Sequence, residues 1–136
     1  MNRLKQFAKR GSVIVEFALV IPIFMLLLAG ILEFGRVLMV QQVITNAARE
    51  GARAGSVYLN NTQALSSASV VSGAFLESSG VDPLLATVSP SFLETGGTPA
   101  LQVIVSYTYD SLLDSFIAGS APTLTLTSTA IMRRET

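Results

Sequence analysis

The chain contains no cysteine and no histidine. Without cysteine it can hold neither a disulfide framework nor a thiolate metal site, and redox chemistry gives no hint of its compartment. Without histidine it lacks the commonest general base, the commonest metal ligand and every Ser-His or Cys-His arrangement. Charge is scarce too: only 13% of the 136 residues are charged, against roughly 25% in soluble domains. Half are hydrophobic, which tilts the class towards membrane. The few basic residues are split among the first ten positions, a helical stretch and Arg133-Arg134, so no nucleic-acid footprint exists and nucleic acid is not an expected partner.

The net charge of zero hides a strong polarity. Residues 1–10 carry Arg3, Lys5, Lys9 and Arg10 with no acid, whereas residues 54–132 carry Glu77, Asp82, Glu94, Asp110 and Asp114 with no Lys or Arg. By the positive-inside tendency, the N-terminus stays cytoplasmic and the acidic remainder is exported. Between them lies an apolar run whose only charge is Glu16, with sixteen uncharged residues in a row from Phe17 to Leu32. As a helix, residues 12–32 rise about 31 Å, which matches a hydrocarbon core of about 30 Å. A secretory signal has a shorter apolar region of about 7–15 residues and a small-residue cleavage site after it. Here no such site follows, so the run is expected to be a retained transmembrane helix in contact with lipid.

Pro22 sits inside the span, where it removes the N–H that would reach the Ala18 carbonyl and crowds that carbonyl; a helix kink is expected there. Helical spacing continues over residues 33–55, with Glu33 and Arg36 three apart and Arg49 and Arg53 four apart. An unbroken helix over residues 12–54 would be about 64 Å long, well beyond one bilayer. Ala47, Ala48, Gly51, Ala52 and Ala54 form a face of small side chains that fits either close approach of another backbone or a fraying helix end at GARAG.

Asn60-Asn61 breaks the pattern, and residues 62–79 form a second expected helix, with Asn61 or Thr62 as N-cap and Gly80 beyond its end. Leu65, Ala68, Val71, Phe75 and Leu76 supply its apolar stripe. From Asp82-Pro83 onward the signals change to strand and turn: a short strand over residues 85–88, a turn over residues 94–99, and a period-2 strand whose apolar face is Leu101, Val103, Val105, Tyr107 and Tyr109. Residues 123–132 repeat the habit with Leu124, Leu126, Ser128, Ala130 and Met132 on one face. The insert at residues 110–122 is expected to be a loop with a helical turn presenting Leu112, Leu113, Phe116 and Ile117. The expected fold class is α+β: a long N-terminal transmembrane helix, then a small exported domain with a second helix and a short antiparallel sheet. The expected division is a basic leader at 1–11, the span at 12–32, its extracytoplasmic continuation at 33–55 and the exported domain at 56–136.

Few residues carry chemistry. Asp110 and Asp114 are spaced to share one face of a helical turn, where paired carboxylates divide proton-transfer work or bind a hard cation, but no calcium-loop pattern surrounds them. Gly96-Gly97 lacks the strand-to-helix context and the Lys-Ser/Thr of a phosphate loop, and reads as a turn. Tyr107 and Tyr109 lie on the apolar strand face, where core packing outweighs ligand stacking. No cofactor, metal or catalytic residue is expected.

Glu16 is the costly residue, since a carboxylate at the centre of a bilayer helix costs about 2.5–3.5 kcal/mol on insertion scales. Cutting the Gly11–Ser12 bond would make Ser12 the new N-terminus, Glu16 the fifth residue and Phe17 the sixth. The new α-amino group, cationic at neutral pH, would lie about 6 Å along the helix from Glu16. A neighbouring helix displaced by about one turn would set its own amine against this carboxylate, and low dielectric would strengthen that pairing and fix axial register.

The stretch from Gly11 to Phe17, GSVIVEF, resembles the prepilin-peptidase site of type IV-like pilins in the Gly-x-x-x-x-Glu-Phe/Tyr form of the tight-adherence (Tad/Flp) subgroup. The longer run RGSVIVEFALVIPIFMLLLAGILEFGRVL, followed by ITNAAREGARAG, resembles the TadE-like pseudopilins in particular, over roughly residues 9–55. The resemblance implies a precursor in the bacterial inner membrane, cleaved by prepilin peptidase between Gly11 and Ser12. It also implies assembly and recognition through Glu16 and Phe17, and a minor structural role in a pilus used for adhesion and surface attachment. The implied partners are the peptidase, other pilin or pseudopilin subunits and the inner-membrane assembly platform. Two rival readings are an uncleaved single-pass adhesin or binding module, whose Glu16 rests at the cytoplasmic interface, and a tethered exported hydrolase using Asp110 and Asp114.

Overall fold

The computed structural model describes residues 2–95, 98–111 and 123–134, with residues 2–12 and 95 described through their backbone. Helix α1 runs over Asn2–Ser56 and helix α2 over Asn61–Ser78. A single 3-10 turn at Pro83–Leu85 leads into strands β1 (Ala86–Thr95), β2 (Thr98–Tyr109) and β3 (Leu124–Arg133). The chain divides into two compact units, Met1–Gly35 and Arg36–Thr136. The expected α+β architecture is observed.

The first unit is helix alone. From Val13 to Phe34 its large apolar side chains are exposed on every side, Ile14, Phe17, Leu19, Ile23 and Leu32 among them. A helix apolar all round belongs in lipid or in the core of a larger assembly. Among the described residues, one helix is long and apolar enough to cross a membrane. Pro22 lies within it, with helix assigned on both sides.

The second unit is a three-stranded antiparallel sheet in the order β1-β2-β3, with one face covered by helices. The register aligns Val88, Val105 and Ser128 in one row and Phe92, Leu101 and Met132 in another. Leu101, Val103, Val105, Tyr107 and Tyr109 are therefore the inner face of β2, and all five are buried. Thr45 and Gln41 of α1 reach Ser128 and Thr127 of β3, while α2 packs along β1. Ile44, Leu76, Leu101, Val103 and Val105 are the largest fully buried apolar side chains, each worth about 1.5–3 kcal/mol on burial.

The small residues of α1 pack closely, which resolves the two readings of GARAG. Ala47, Ala48 and Ala52 are fully buried, and the helix continues through Gly55 to Ser56. A Cβ on Gly51 would collide with Ser72 Oγ and come 2.8 Å from the Ala68 carbonyl oxygen. One on Gly55 would strike Leu101 and approach the Ala64 carbonyl at 2.7 Å. Only glycine allows α1 and α2 this close. Ser72 Oγ, fully buried, donates to the Ala47 carbonyl at 3.0 Å and joins the two helices.

Several boundaries differ from the sequence reading. Helix α2 starts one residue earlier than expected because Asn60, not Asn61 or Thr62, is its N-cap: Asn60 Oδ1 accepts the Thr62 amide at 2.9 Å. Gly80 follows its end at φ 74°, as expected of a residue closing a helix. Strand β1 is much longer than the expected residues 85–88, and it runs through Pro90. An edge strand tolerates this, because the missing N–H can face away from the ladder. Pairing continues to Glu94↔Pro99 and Thr95↔Thr98, so most of the expected turn is strand. Gly96, Gly97, Leu112, Leu113, Phe116 and Ile117 lie outside the described residues.

Candidate processing segment and assembly helix

Residues 11–17 lie within α1, and their backbone is helical throughout. Along the helix, Glu16 follows Ser12 by about one turn, a rise of about 6 Å. Glu16 is exposed, and Phe17, on an adjoining face, is 66% exposed. Val13, Ile14 and Val15 between them are equally bare. From Val13 to Phe17 every side chain is exposed. Pro22 lies about one and two-thirds turns beyond Glu16 in the same helix and is exposed.

Of the carboxylate pair expected at Asp110 and Asp114, only the first is among the described residues. Asp110 is exposed just beyond β2, and Asp114 lies outside the described residues. No group of three or more His, Cys, Asp or Glu capable of holding a metal occurs among the described residues. Tyr107 and Tyr109, read from the sequence as core residues, are 8% and 4% exposed. Burial raises the Tyr107 phenol above its ordinary pKa; Asp82 raises it further, Arg36 lowers it and Asp110 adds a smaller rise. The Arg36 guanidinium stands 5.6 Å from the Tyr109 ring centroid, a cation–π distance.

Two groups of residues escaped the sequence reading. Arg134 donates to Asn61 Oδ1 at 2.7 Å, to the Tyr58 carbonyl at 2.7 Å and to the Leu59 carbonyl at 2.6 Å, and its guanidinium lies 4.9 Å from the Phe92 ring centroid. It binds the α1–α2 connection to the sheet. The one sequence signal was a basic pair ending an otherwise uncharged strand. The second group joins α1 to β3: Ser128 Oγ donates to Thr45 Oγ1 at 3.1 Å, and Thr45 Oγ1 donates to the Gln41 carbonyl at 2.7 Å. Gln41 Nε2 donates to the Thr127 carbonyl at 3.3 Å. A helical Thr and a strand Ser give no sign in the sequence that they meet.

No curated protein and no solved structure matches the chain. Residues 11–53 match a family model described as TadE-like protein. The matched range opens at Gly11, holds Glu16, Phe17 and Pro22, and runs through the buried Ala47, Ala48, Gly51 and Ala52 of α1. Over residues 11–53, which form most of α1, the chain is similar to TadE-like proteins.

Proposed function

We propose that the chain is a minor pilin or pseudopilin of a Tad/Flp-type pilus, made as a precursor and cut by prepilin peptidase between Gly11 and Ser12. The TadE-like match points to a pilin-like protein associated with a Tad pilus, and the long apolar α1 to a membrane anchor. The observation that carries the finer reading is the coincidence, in one helix, of Gly11, an acid five residues on and an all-round apolar surface up to Phe34.

In this reading residues 1–11 are a cytoplasmic leader, residues 12–32 span the inner membrane, residues 33–55 continue the helix outside and residues 56–136 form the exported domain. Removal of the leader creates an α-amine at Ser12 one turn from Glu16. Before assembly, Glu16 sits near the cytoplasmic interface, where the cost of its charge is below the midplane value. During assembly the Ser12 amine of a neighbouring subunit meets Glu16 in a low-dielectric setting, where an unpaired acid is penalised and a paired one is held. Phe17 packs beside it, and Pro22 bends or loosens the helix around the Ala18 carbonyl. The subunit is structural and serves adhesion and surface attachment; its partners are the peptidase, other pilin subunits, the assembly platform and lipid.

Intact-mass measurement tests the cut. The wild-type chain should lose residues 1–11, and Gly11→Leu should keep them, because a bulky side chain fills the space beside the scissile bond. Normal removal in Gly11→Leu would refute the processing site.

A further inference from the structure

The unit Arg36–Thr136 has one end whose leucines its core does not use. Asp82 Oδ1 accepts the Leu84 amide at 2.9 Å, the Leu85 amide donates to the Asp82 carbonyl at 3.2 Å, and Pro83 opens the 3-10 turn. These bonds fix the turn locally, yet Leu84 at its tip is 90% exposed, and Leu85 and Leu124 are exposed as well. The sheet shows that the three belong to one end. Leu84 and Leu85 lead directly into Ala86, which pairs with Tyr107, and Leu124 pairs with Tyr109. Arg36 marks the same end: its guanidinium stands over the Tyr109 ring, and Asp82, Arg36 and Asp110 all act on Tyr107.

This is the end at which the chain enters the unit. Arg36 follows Leu32, the last residue of the uncharged run, by four residues of continuous helix, a rise of about 6 Å. One headgroup layer has about that thickness, since a bilayer of about 40–45 Å surrounds a hydrocarbon core of about 30 Å. A helix anchored through its apolar run therefore leaves Arg36, and the leucines at its end of the unit, at the bilayer interface. The opposite end is out of reach, because Ser56 lies twenty residues beyond Arg36 in the same helix, about 30 Å further on. Gly55 of α1 meets Ala64 and Gly51 meets Ser72, so α2 runs antiparallel to α1 and its last turn brings Glu77 back to the Arg36 end. Among the described residues, the charged groups around this end are Glu33, Arg36, Glu77, Asp82 and Asp110, four acids and one cation.

We propose that the turn carrying Leu84 and Leu85 inserts into the headgroup layer of the same bilayer that α1 enters, a second membrane contact beside the span, on lipid whose headgroup ends in an ammonium. The inference rests on the reading of α1 as a membrane anchor and uses neither cleavage at Gly11 nor Glu16. The driving force is the apolar surface of the leucines leaving water at the headgroup–acyl boundary. Charge selects the lipid. Four acids against one cation oppose an anionic surface, whereas phosphatidylethanolamine is neutral overall and presents its cation outermost, towards the carboxylates. Arg36 suits the phosphate beneath that ammonium. A single span leaves a helix free to turn about its own axis; a contact off that axis fixes which face of the unit looks away from the membrane.

The absence of native cysteine lets a single nitroxide report each position. The full-length chain is placed one per nanodisc in equal parts phosphatidylethanolamine and phosphatidylcholine, and each label's accessibility to oxygen, which partitions into lipid, is divided by that to a water-soluble nickel chelate. The ratio at Leu84→Cys, where the apolar nitroxide takes the place of the leucine, should be at least fivefold above that at Val57→Cys, an exposed position just past the far end of α1. Exchanging the phosphatidylethanolamine for phosphatidylglycerol should lower the Leu84 ratio about twofold, and Asp82→Asn, which keeps an acceptor for the Leu84 amide, should restore part of it. With the label moved to Leu124→Cys, Leu84→Asp should lower the ratio about threefold. Equal ratios at Leu84 and Val57, with a label at Leu27→Cys reporting lipid, would overturn the second contact and leave the anchor standing. A Leu27 label open to the nickel chelate would instead overturn the anchor, and this inference with it. Shielding of Leu84 from both reagents would mean that protein covers it and would overturn lipid as the occupant. A Leu124 ratio unmoved by Leu84→Asp would overturn the part given to Leu84.

Discussion

Replacing Gly51 with alanine sets helix propensity against packing, and the structure decides which wins. Alanine gains up to about 1 kcal/mol over glycine in a helix interior. Against this, the new methyl collides with Ser72 Oγ, lies 2.8 Å from the Ala68 carbonyl oxygen and 3.3 Å from Ser72 Cβ. The Ala68 carbonyl is backbone, so the helices must separate, and overpacking of this kind costs about 1–3 kcal/mol. Ser72 Oγ can escape only by giving up its buried bond to the Ala47 carbonyl, and leaving such groups unsatisfied costs about 1–3 kcal/mol more. The net expectation for Gly51→Ala is a loss of about 1–5 kcal/mol. Urea unfolding of the full chain in detergent micelles measures it through tyrosine fluorescence, since the chain has no tryptophan and its three tyrosines are Tyr58, Tyr107 and Tyr109. At a slope of about 1–3 kcal/mol per M, a mid-range loss of about 3 kcal/mol lowers the midpoint by about 1–3 M. Gly73→Ala is the control: its Cβ meets nothing within 4 Å in α2, so it should stabilise by up to about 1 kcal/mol. Adding Ser72→Ala to Gly51→Ala should recover part of the loss. A Gly51→Ala midpoint equal to or above wild type would refute the packing argument.

Arg134→Ala should destabilise the second unit by about 2–4 kcal/mol in the same assay, because it removes charged hydrogen bonds to three acceptors and a guanidinium over Phe92; Arg134→Lys should recover less than half, as an ammonium cannot span that fork. Tyr107 titrates above its ordinary value, chiefly through burial, so its contribution is fully present below about pH 10 and is lost as pH rises through the raised pKa. Stability measured from pH 8 to 12 should fall at the alkaline end, and Tyr107→Phe should flatten that fall; an unchanged alkaline slope in Tyr107→Phe would count against it. Glu16→Ala should leave membrane insertion intact and reduce incorporation into pili, read as the amount of chain in sheared fibres relative to membranes; unaltered incorporation would remove the role given to Glu16.

How much of this was legible in the sequence depends on whether the cause is local. The apolar run from Phe17 to Leu32 and the alternation from Leu101 to Tyr109 each state their own environment, so the long helix and the buried face of β2 could be read directly. The closure at Gly80 was legible for the same reason, since a positive φ favours glycine at that point. Closeness between α1 and α2 was not: Gly51 and Gly55 look the same in a fraying end as in a tight crossing until Ser72, Ala64 and Leu101 are known to face them. The length of β1 was hidden because Pro90 reads as a breaker, and only its position on a sheet edge makes it harmless. Arg134 was hidden because its acceptors are two backbone carbonyls and an Asn about seventy-five residues earlier in the chain. For residues 11–17, the roles proposed for Gly11, Ser12, Glu16 and Phe17 rest on spacing and family resemblance. The structure adds that Glu16 and Phe17 are exposed on a continuous helix.

The most direct test of the central claim is the N-terminal residue of this chain in purified pili. The account predicts that the chain is among the subunits of sheared, washed fibres and begins at Ser12. A chain beginning at Met1, or one found only in the membrane fraction of piliated cells, would contradict it.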